Sequence, residues 1–354
     1  MAREKVLLAY SGGLDTSVIL KWLDLKGYDV TAYVADVGQK SENWDIIKDK
    51  AFKSGAKDVI IDDLKEEFVK DFVYPAVMFN ALYEGRYYLG TSLARPVIAK
   101  GMVEAAKRIG ADYFAHGATG KGNDQVRFEL SAAALAPNLK VIAPWRDPDY
   151  FNVIKGRKEA MDFAAAHNIP VKATASKPWS SDDNALHISF EAGILENPET
   201  PPPADMFEYS VSPKDAPDKA AVIEIEFEKG RAVKLDGKSL TPYEMLTALN
   251  KLGGANGIGR VDMVESRYVG MKSRGVYETP GAAILMAAHR DLEGLTLDGS
   301  VINLKETVMP RFAALVYNGY WFSHEMDCLR AMLDKSQEYV SGKVKLELYK
   351  GNVT

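Results

Sequence analysis

The residues best able to do chemistry come early in the chain, in Ala9-Tyr10-Ser11-Gly12-Gly13-Leu14-Asp15-Thr16-Ser17. Two adjacent glycines let the backbone turn tightly and present N–H groups with no Cβ in the way. A helix that starts immediately afterwards aims its unpaired N–H groups and the positive end of its dipole at the same point. That combination holds an anion. The hydroxyls of Ser11, Thr16 and Ser17 add donors, and Asp15 can hold a Mg2+ ion against phosphates. The lack of a lysine after the glycines excludes a Walker A loop, and without a third glycine the segment is not the dinucleotide fingerprint. A bare Ser-Gly-Gly would be an ordinary turn with Asp15 as a helix-start charge. The whole nonapeptide at a strand-to-helix junction reads as a phosphate loop.

A second glycine-rich segment runs Gly117-Ala118-Thr119-Gly120-Lys121-Gly122-Asn123-Asp124-Gln125-Val126-Arg127-Phe128. It reads as a supple loop in which Thr119 and Asn123 supply donors, Lys121 and Arg127 positive charge, and Asp124 an acceptor suited to an ammonium group. Solvated loops share this composition, so its place in the fold matters: it follows the fourth predicted strand, at the ligand-binding edge of such a sheet.

The elements that must position these groups follow one rhythm through the first 145 residues, a short apolar strand and then an amphipathic helix. Strands are predicted at Lys5–Tyr10, Val30–Ala35, Lys57–Ile61, Ala111–Ala115 and Lys140–Ala143, which is doubly wound α/β patterning with a parallel sheet. A helix from Asp15 to Lys26 carries Val18, Ile19, Trp22, Leu23 and Leu25 on one face and stops at Gly27. Another, from Ser92 to Arg108, stops at Gly110. After a helix at Lys155–His167 the rhythm gives way to the loop KPWSSDDN and a proline-rich stretch from Pro198 to Pro217 that reads as a fixed surface loop. Beyond it, VIEIEFE alternates with period two, RAVKL is its hairpin partner, and helices are expected at Pro242–Leu252, Ala282–Leu292, Lys305–Val316 and Ser323–Tyr339. The second half is therefore α+β, and the domains divide as 1–168 and 169–354.

Composition narrows the classes further. The 354 residues carry 44 basic and 49 acidic side chains, a formal charge of −5, with 47% hydrophobic residues. That balance removes whole-surface attraction to nucleic acid. The single cysteine, Cys328, excludes an intramolecular disulfide, a multi-cysteine metal site and two-thiol redox chemistry; on its predicted helix it is expected to be a small core residue. No apolar run approaches the roughly 20 residues that span a bilayer, and a cytoplasmic protein is expected.

SGGLDTS after an N-terminal strand resembles the pyrophosphate loop (PP-loop) of the ATP-pyrophosphatase superfamily, whose members adenylate a substrate oxygen and release pyrophosphate. The Gly117–Phe128 segment resembles the second signature of the argininosuccinate synthase family. YVADVGQ, ALYEGRYYLGTSLARP, KVIAPWR, HISFEAGILENP and VGMKSRGVYETPG are similar to that family too, so the resemblance covers the chain to Gly351. It implies a PP-loop nucleotide-binding domain of the adenine nucleotide alpha hydrolase-like type, followed by an α+β synthetase domain. The implied activity is ATP-dependent ligation of citrulline and aspartate, with Mg2+ and through a citrulline adenylate, in arginine biosynthesis.

The resemblance also distributes roles. Ala9 to Ser17, Ala35 and Gly117 are implied in nucleotide binding, with Ala35 where the family places the adenine. Thr119, Asn123 and Asp124 are implied for aspartate, and Tyr87, Ser92, Asn123, Arg127, Ser180, Ser189, Glu265 and Tyr277 for citrulline, with Glu265 pairing its ammonium. Asp15, Asp124 and Arg127 are the residues expected to carry catalysis. No site built of protein ligands alone is expected for a metal. His116 and His187 are conceivable acid–base groups, but a phosphoryl centre is activated mainly by positioning and charge neutralisation. Lys272 and Arg274 can face phosphate, a substrate carboxylate or solvent.

Members of the family form homotetramers and continue past the point where this sequence stops, in a C-terminal arm. The expectation is a tetramer weakened toward a dimer, with Lys343–Tyr349 a half-buried strand and Gly351-Asn352 a turn into a further strand. Two rival readings use the same loop, a tRNA-modifying enzyme that adenylates a base and a non-catalytic nucleotide-binding scaffold. The acidic charge, the lone cysteine and the lack of an aromatic-basic RNA module weigh against the first. The suitable side chain at every recognised position weighs against the second.

Overall fold

The computed structural model describes residues 3–40, 43–120, 122–170 and 177–354; Lys121, one of the expected cations, lies outside them. By contact the chain forms two compact units, neither continuous in sequence. The first is Met1–Asp36, Lys40–Leu64 and Arg95–Ala175, and the second is Val37–Gln39, Lys65–Ala94 and Ser176–Thr354.

The first unit is built on β1 (Lys5–Ala9), β2 (Asp29–Asp36), β3 (Asp58–Asp63), β4 (Tyr113–Ala115) and β5 (Lys140–Ile142). They lie in the order β3-β2-β1-β4-β5, and every pair is parallel. Val6, Leu7 and Leu8 of β1 are completely buried, as a central strand covered on both faces requires. The order reverses between β1 and β4, and the loops leaving the carboxyl ends of those two strands flank the switch point where such sheets bind ligands. These are the two glycine-rich segments.

The first helix, Leu14–Leu25, buries Val18, Ile19, Leu20, Trp22 and Leu23. It ends at Gly27 (φ +91°), with the Tyr28 N–H donating to Leu23 O, the six-to-one bond of a glycine-terminated helix. Leu25, expected on the buried face, is instead 56% exposed, because it sits at the margin of the apolar stripe in the last turn. A helix at Trp44–Lys53, capped by Asn43, has a weak apolar pattern and was not legible. The second glycine-rich segment differs from the expected loop: a helix runs from Asn123 to Leu135, so Asn123, Asp124 and Arg127 are helical. Gly122 caps this helix in extended conformation and Asp124 places a negative charge in its first turn, where the dipole favours one, so the composition that suggests a loop also starts a helix.

In the second unit β6 (Ser180–Asp183), β7 (Ile188–Glu191), β11 (Arg260–Ser266) and β12 (Lys272–Glu278) form an antiparallel sheet in the order β11-β12-β7-β6. A second antiparallel sheet orders β10 (Lys238–Ser239), β9 (Arg231–Leu235), β8 (Ala221–Glu228), β13 (Gly342–Tyr349) and β14 (Asn352–Val353). The expected loop KPWSSDDN thus contains a strand; β6 is an edge strand of four polar residues, which hydrophobic patterning cannot reveal. The turn after β13 does lead into a strand, with Val353 opposite Leu348.

The unit also contains helices Pro242–Ala255, Pro280–Thr296, Gly299–Tyr317 and His324–Ser336, beside a shorter helical run from Lys65 to Met78. The third begins earlier than expected and continues through Pro310. The fourth is capped by Ser323 and carries Cys328 exposed, not in the core, since its buried face is formed by Met326 and Leu333. The proline-rich stretch is irregular apart from one turn of helix at Ala204–Met206. The fully buried Glu278 carboxylate anchors it, accepting from the N–H groups of Glu208 (2.7 Å), Tyr209 (3.0 Å) and Ser210 (2.8 Å) and from the Ser210 hydroxyl (2.6 Å). No helix of the described residues is long and apolar enough to cross a membrane.

Candidate active site

In the first unit the phosphate-loop residues divide into those that face outward and those that hold the loop. Ser11, Gly13 and Asp15 are exposed, and Gly12 takes φ +73°. Gly13 caps the helix in extended conformation with no side chain bonding the first-turn N–H groups, which leaves those groups for a ligand. Ser11 Oγ accepts from the Gly13 N–H at 3.3 Å and lies 3.2 Å from Thr16 Oγ1. Ser17 turns inward: it is buried, donates to Gly13 O at 2.7 Å and lies 2.9 Å from the Tyr10 hydroxyl. Ser17 and the Tyr10 ring therefore brace the turn from below, and Lys50 Nζ braces it from the side through Gly12 O at 2.6 Å. Although Asp15 reaches solvent, the protein around the loop partly desolvates its carboxyl and raises it above the ordinary carboxylate value, and the charge of Arg157 draws it part of the way back.

Gly117 sits against this loop. A Cβ on it would come within 3.2 Å of both Thr16 Cγ2 and Ile19 Cδ1, so the missing side chain lets the two glycine-rich segments approach. Beyond it, Asp124 accepts from Arg95 Nε and Arg127 Nη1, each at 2.9 Å. Burial pushes the Asp124 carboxyl up, but the charges and hydrogen bonds of Arg95 and Arg127 outweigh it and hold the group below its ordinary value. Arg95 carried no role in the sequence reading. Its position three residues after Ser92, facing the Asp124 helix, is a tertiary fact with no local signal. Ala35 is nearly buried in β2 opposite Asp62, one residue before the strand ends.

In the second unit the candidate residues share a sheet face. Tyr277 lies opposite Ser189, and Ser189 opposite Asp182, two residues from Ser180; Glu265 is four residues from Val261, the partner of Tyr277. Period two therefore puts Ser180, Ser189, Tyr277 and Glu265 on one side. Ile188, Phe190 and Val276 point the other way into an apolar cluster with Leu195 and Met206. Gly275 shapes the polar face: a Cβ there would meet the Tyr277 hydroxyl at 2.2 Å, so the Tyr277 side chain lies along the sheet over Gly275. From there its hydroxyl donates to Glu265 Oε2 at 2.8 Å. Burial, reinforced by Tyr87 and Glu265, pushes the Tyr277 phenol well up, so it stays a donor. Tyr317, also absent from the sequence reading, donates to Glu265 Oε1 at 2.6 Å.

Glu265 is 7% exposed, and its partners are these two phenols. No Lys or Arg of the described residues pairs with it. Because a buried carboxylate demands compensation, this arrangement suits a cationic ligand group. Tyr87 packs on Tyr277 with ring centroids 4.6 Å apart, and its hydroxyl accepts from the Thr91 N–H at 3.2 Å. Ser92 Oγ is buried without a hydrogen-bond partner. His187 stacks parallel to Tyr277 and lies 3.0 Å from Thr91 Oγ1. It also forces Gly90, where a Cβ would meet the imidazole at 2.3 Å.

The family model described as "Arginosuccinate synthase N-terminal HUP domain" matches residues 5–170, and "Arginosuccinate synthase C-terminal domain" matches 179–354. The argininosuccinate synthase of Thermotoga sp. (strain RQ2) is 57% identical over 99% of this chain and 87% of its own. That of Syntrophus aciditrophicus is 55% identical over 99% and 86%, and that of Danio rerio 52% over 100% and 86%.

This chain belongs to the argininosuccinate synthase family. It is an ATP-dependent ligase whose residues 5–170 match the family's N-terminal PP-loop domain. Within this synthase fold several polar residues have structural employment. His116 is fully buried, stacked on Phe128, and accepts from the Ala118 N–H through Nδ1 at 3.3 Å, with Nε2 3.5 Å from Glu129. Arg274 is bidentate to Asp262 and donates to the carbonyls of Asn197 and Thr200, and Lys272 donates to Ser266.

Proposed function

We propose a division of labour among these residues for the family's reaction, the ATP-dependent condensation of citrulline and aspartate to argininosuccinate. Backbone N–H groups of Ser11–Leu14, with the Ser11 and Thr16 hydroxyls, bind the β- and γ-phosphates of ATP, while Ala35 and Gly117 lie against the nucleoside. Glu265 takes the citrulline α-ammonium, and Ser92, Ser180, Ser189, Tyr87 and Tyr277 orient its remaining polar groups. Thr119, Asn123 and Asp124 receive aspartate, and Arg127 reaches citrulline.

The citrulline ureido oxygen attacks the α-phosphorus as the bond to the β-phosphate breaks, and pyrophosphate leaves into the PP-loop. A urea oxygen is a poor leaving group; joined to AMP it becomes a good one. The aspartate amine then adds to the ureido carbon, loses a proton, and expels AMP. Asp15 and the Ser11 and Thr16 hydroxyls are hard oxygen donors of the kind Mg2+ takes when phosphates and water supply its other ligands, and no cluster of three or more His, Cys, Asp or Glu among the described residues competes for it. When bound there, Mg2+ neutralises charge on the leaving pyrophosphate. A homotetramer in the cytoplasm belongs to the same reading and rests on family membership alone.

The observation that carries the citrulline assignment is the buried Glu265 carboxylate with phenols as its partners. Citrulline-dependent exchange of labelled pyrophosphate into ATP, with aspartate omitted, tests the two-step scheme. Exchange is expected without aspartate, and a strict aspartate requirement contradicts an adenylate intermediate.

A further inference from the structure

Tyr317 is the last residue of the helix Gly299–Tyr317 and is completely buried. Its ring lies flat on that of Tyr83, with centroids 3.7 Å apart and planes 6° apart, and stands edge-on to Tyr87 at 6.0 Å. The stacked pair grips two consecutive residues of β11: Tyr317 donates to the Glu265 carboxylate at 2.6 Å and Tyr83 donates to Ser266 O at 2.9 Å. Core packing alone would be met by phenylalanine. A buried hydroxyl instead needs an acceptor, and this one has a carboxylate, the strongest kind of side-chain acceptor.

We propose that Tyr317 is a positioning residue for substrate recognition: with Tyr277 it fixes the plane of the Glu265 carboxylate so that the remaining lone pairs meet the α-ammonium of the amino-acid substrate. The proposal rests on the assignment of Glu265 to the citrulline ammonium. A glutamate side chain has three rotatable bonds, and one hydrogen bond leaves the carboxylate free to turn about the other oxygen. Phenols on separate oxygens, Tyr277 on Oε2 and Tyr317 on Oε1, remove that freedom. Each oxygen has two acceptor sites, so each keeps one for the ligand. Tyr83 in turn holds the Tyr317 ring, which is why the grip comes from a stacked pair.

The test is Tyr317→Phe, which keeps the ring and its stack and removes the donor. The citrulline KM is expected to rise about 10- to 100-fold, the range for losing a hydrogen bond to a charged group, with kcat and the KM values for ATP and aspartate within about twofold. A structural defect would not discriminate between ligands, so binding of 5-ureidopentanoate, citrulline without its amino group, is measured as competitive inhibition. The preference for citrulline over this analogue should shrink by the same factor as the KM rises. An equal loss for both ligands, or no loss, overturns the proposal.

Glu265→Gln separates the proposal from the reading beneath it. If that variant leaves citrulline binding intact, the assignment of Glu265 fails; if it abolishes the preference for citrulline while Tyr317→Phe does not change it, only the role of Tyr317 fails. In the double variant Tyr317→Phe should add nothing to Glu265→Gln. Should Tyr317→Phe not fold, 4-aminophenylalanine at 317 keeps a weaker donor in the same place. It should then raise the citrulline KM less than the full loss of the bond would, and an unchanged preference overturns the proposal.

Discussion

At the scale of single residues, the structure separates loop groups that face outward from groups that hold the loop in place, a distinction residue type does not make. Ser11, Thr16 and Ser17 are equivalent donors on paper, yet Ser17 is buried beneath the turn and bonded to Gly13 O. Asp15 is exposed at the start of the first helix. Asp15→Asn should therefore leave the melting temperature nearly unchanged, since Asn is tolerated there, while turnover falls about tenfold or more through loss of a charge-assisted contact; near-normal pyrophosphate release would remove Asp15 from the mechanism. Asp124 differs, because its carboxylate bridges Arg95 and Arg127. Asp124→Asn should raise the aspartate KM about 10- to 150-fold, and because it also weakens the ion pair that helps to hold Arg127 it should lower citrulline-dependent pyrophosphate exchange. Unaffected exchange would show that Arg127 does not depend on Asp124.

Elements explain how residues far apart in sequence come to share one face of a sheet. Ser189, Glu265 and Tyr277 belong to strands whose register gives them one face, but no local pattern announces a register between strands so distant in sequence. Gly275 is the clearest example: in sequence it is one glycine among many, and in the sheet it makes room for Tyr277. Gly275→Ala should displace the Tyr277 hydroxyl from Glu265, raising the citrulline KM with little effect on that for ATP; an unchanged citrulline KM would show that the ring finds another route.

A second packed element pair predicts a pH effect unrelated to catalysis. His289 on the helix Pro280–Thr296 is buried, bonded to Gln337 at 2.7 Å and close to Glu293, which Lys305 and Asn80 also contact. Burial lowers the His289 imidazole from 6.5 to about 4, against an upward pull from Glu293. The fold thus favours the neutral ring. Above pH 6.5 both states are neutral and the shift has no effect; as pH falls from 6.5 toward 4 the unfolded chain takes up a proton that the fold refuses. Stability should decline by about 3 kcal/mol across that window. Chemical unfolding at a series of pH values should show this slope in the native chain and a shallower one in His289→Asn; equal slopes would assign the pH response elsewhere.

For the molecule as a whole, the parallel half was legible because each βα repeat writes its own boundaries, and Gly27 and Gly110 end their helices where expected. In the second half the alternating strands β8 and β13 and the four long helices from Pro242 onward were legible. Polar β6 and the helix start at Asn123 carry no apolar pattern to announce them, and the roles of Arg95 and Tyr317 depend on partners 29 and 52 residues away, outside any local window. The phosphate loop and the blocks resembling the family carried the function, and they agree with the matches at 5–170 and 179–354.

The central claim is that the ureido oxygen of citrulline becomes a phosphate oxygen of AMP. Citrulline labelled with 18O in its ureido group, incubated with the chain, MgATP and aspartate, tests it directly by mass spectrometry. The account predicts argininosuccinate and AMP in equal amounts, with one labelled oxygen in each AMP. Unlabelled AMP, with the label released to water or orthophosphate, would contradict it.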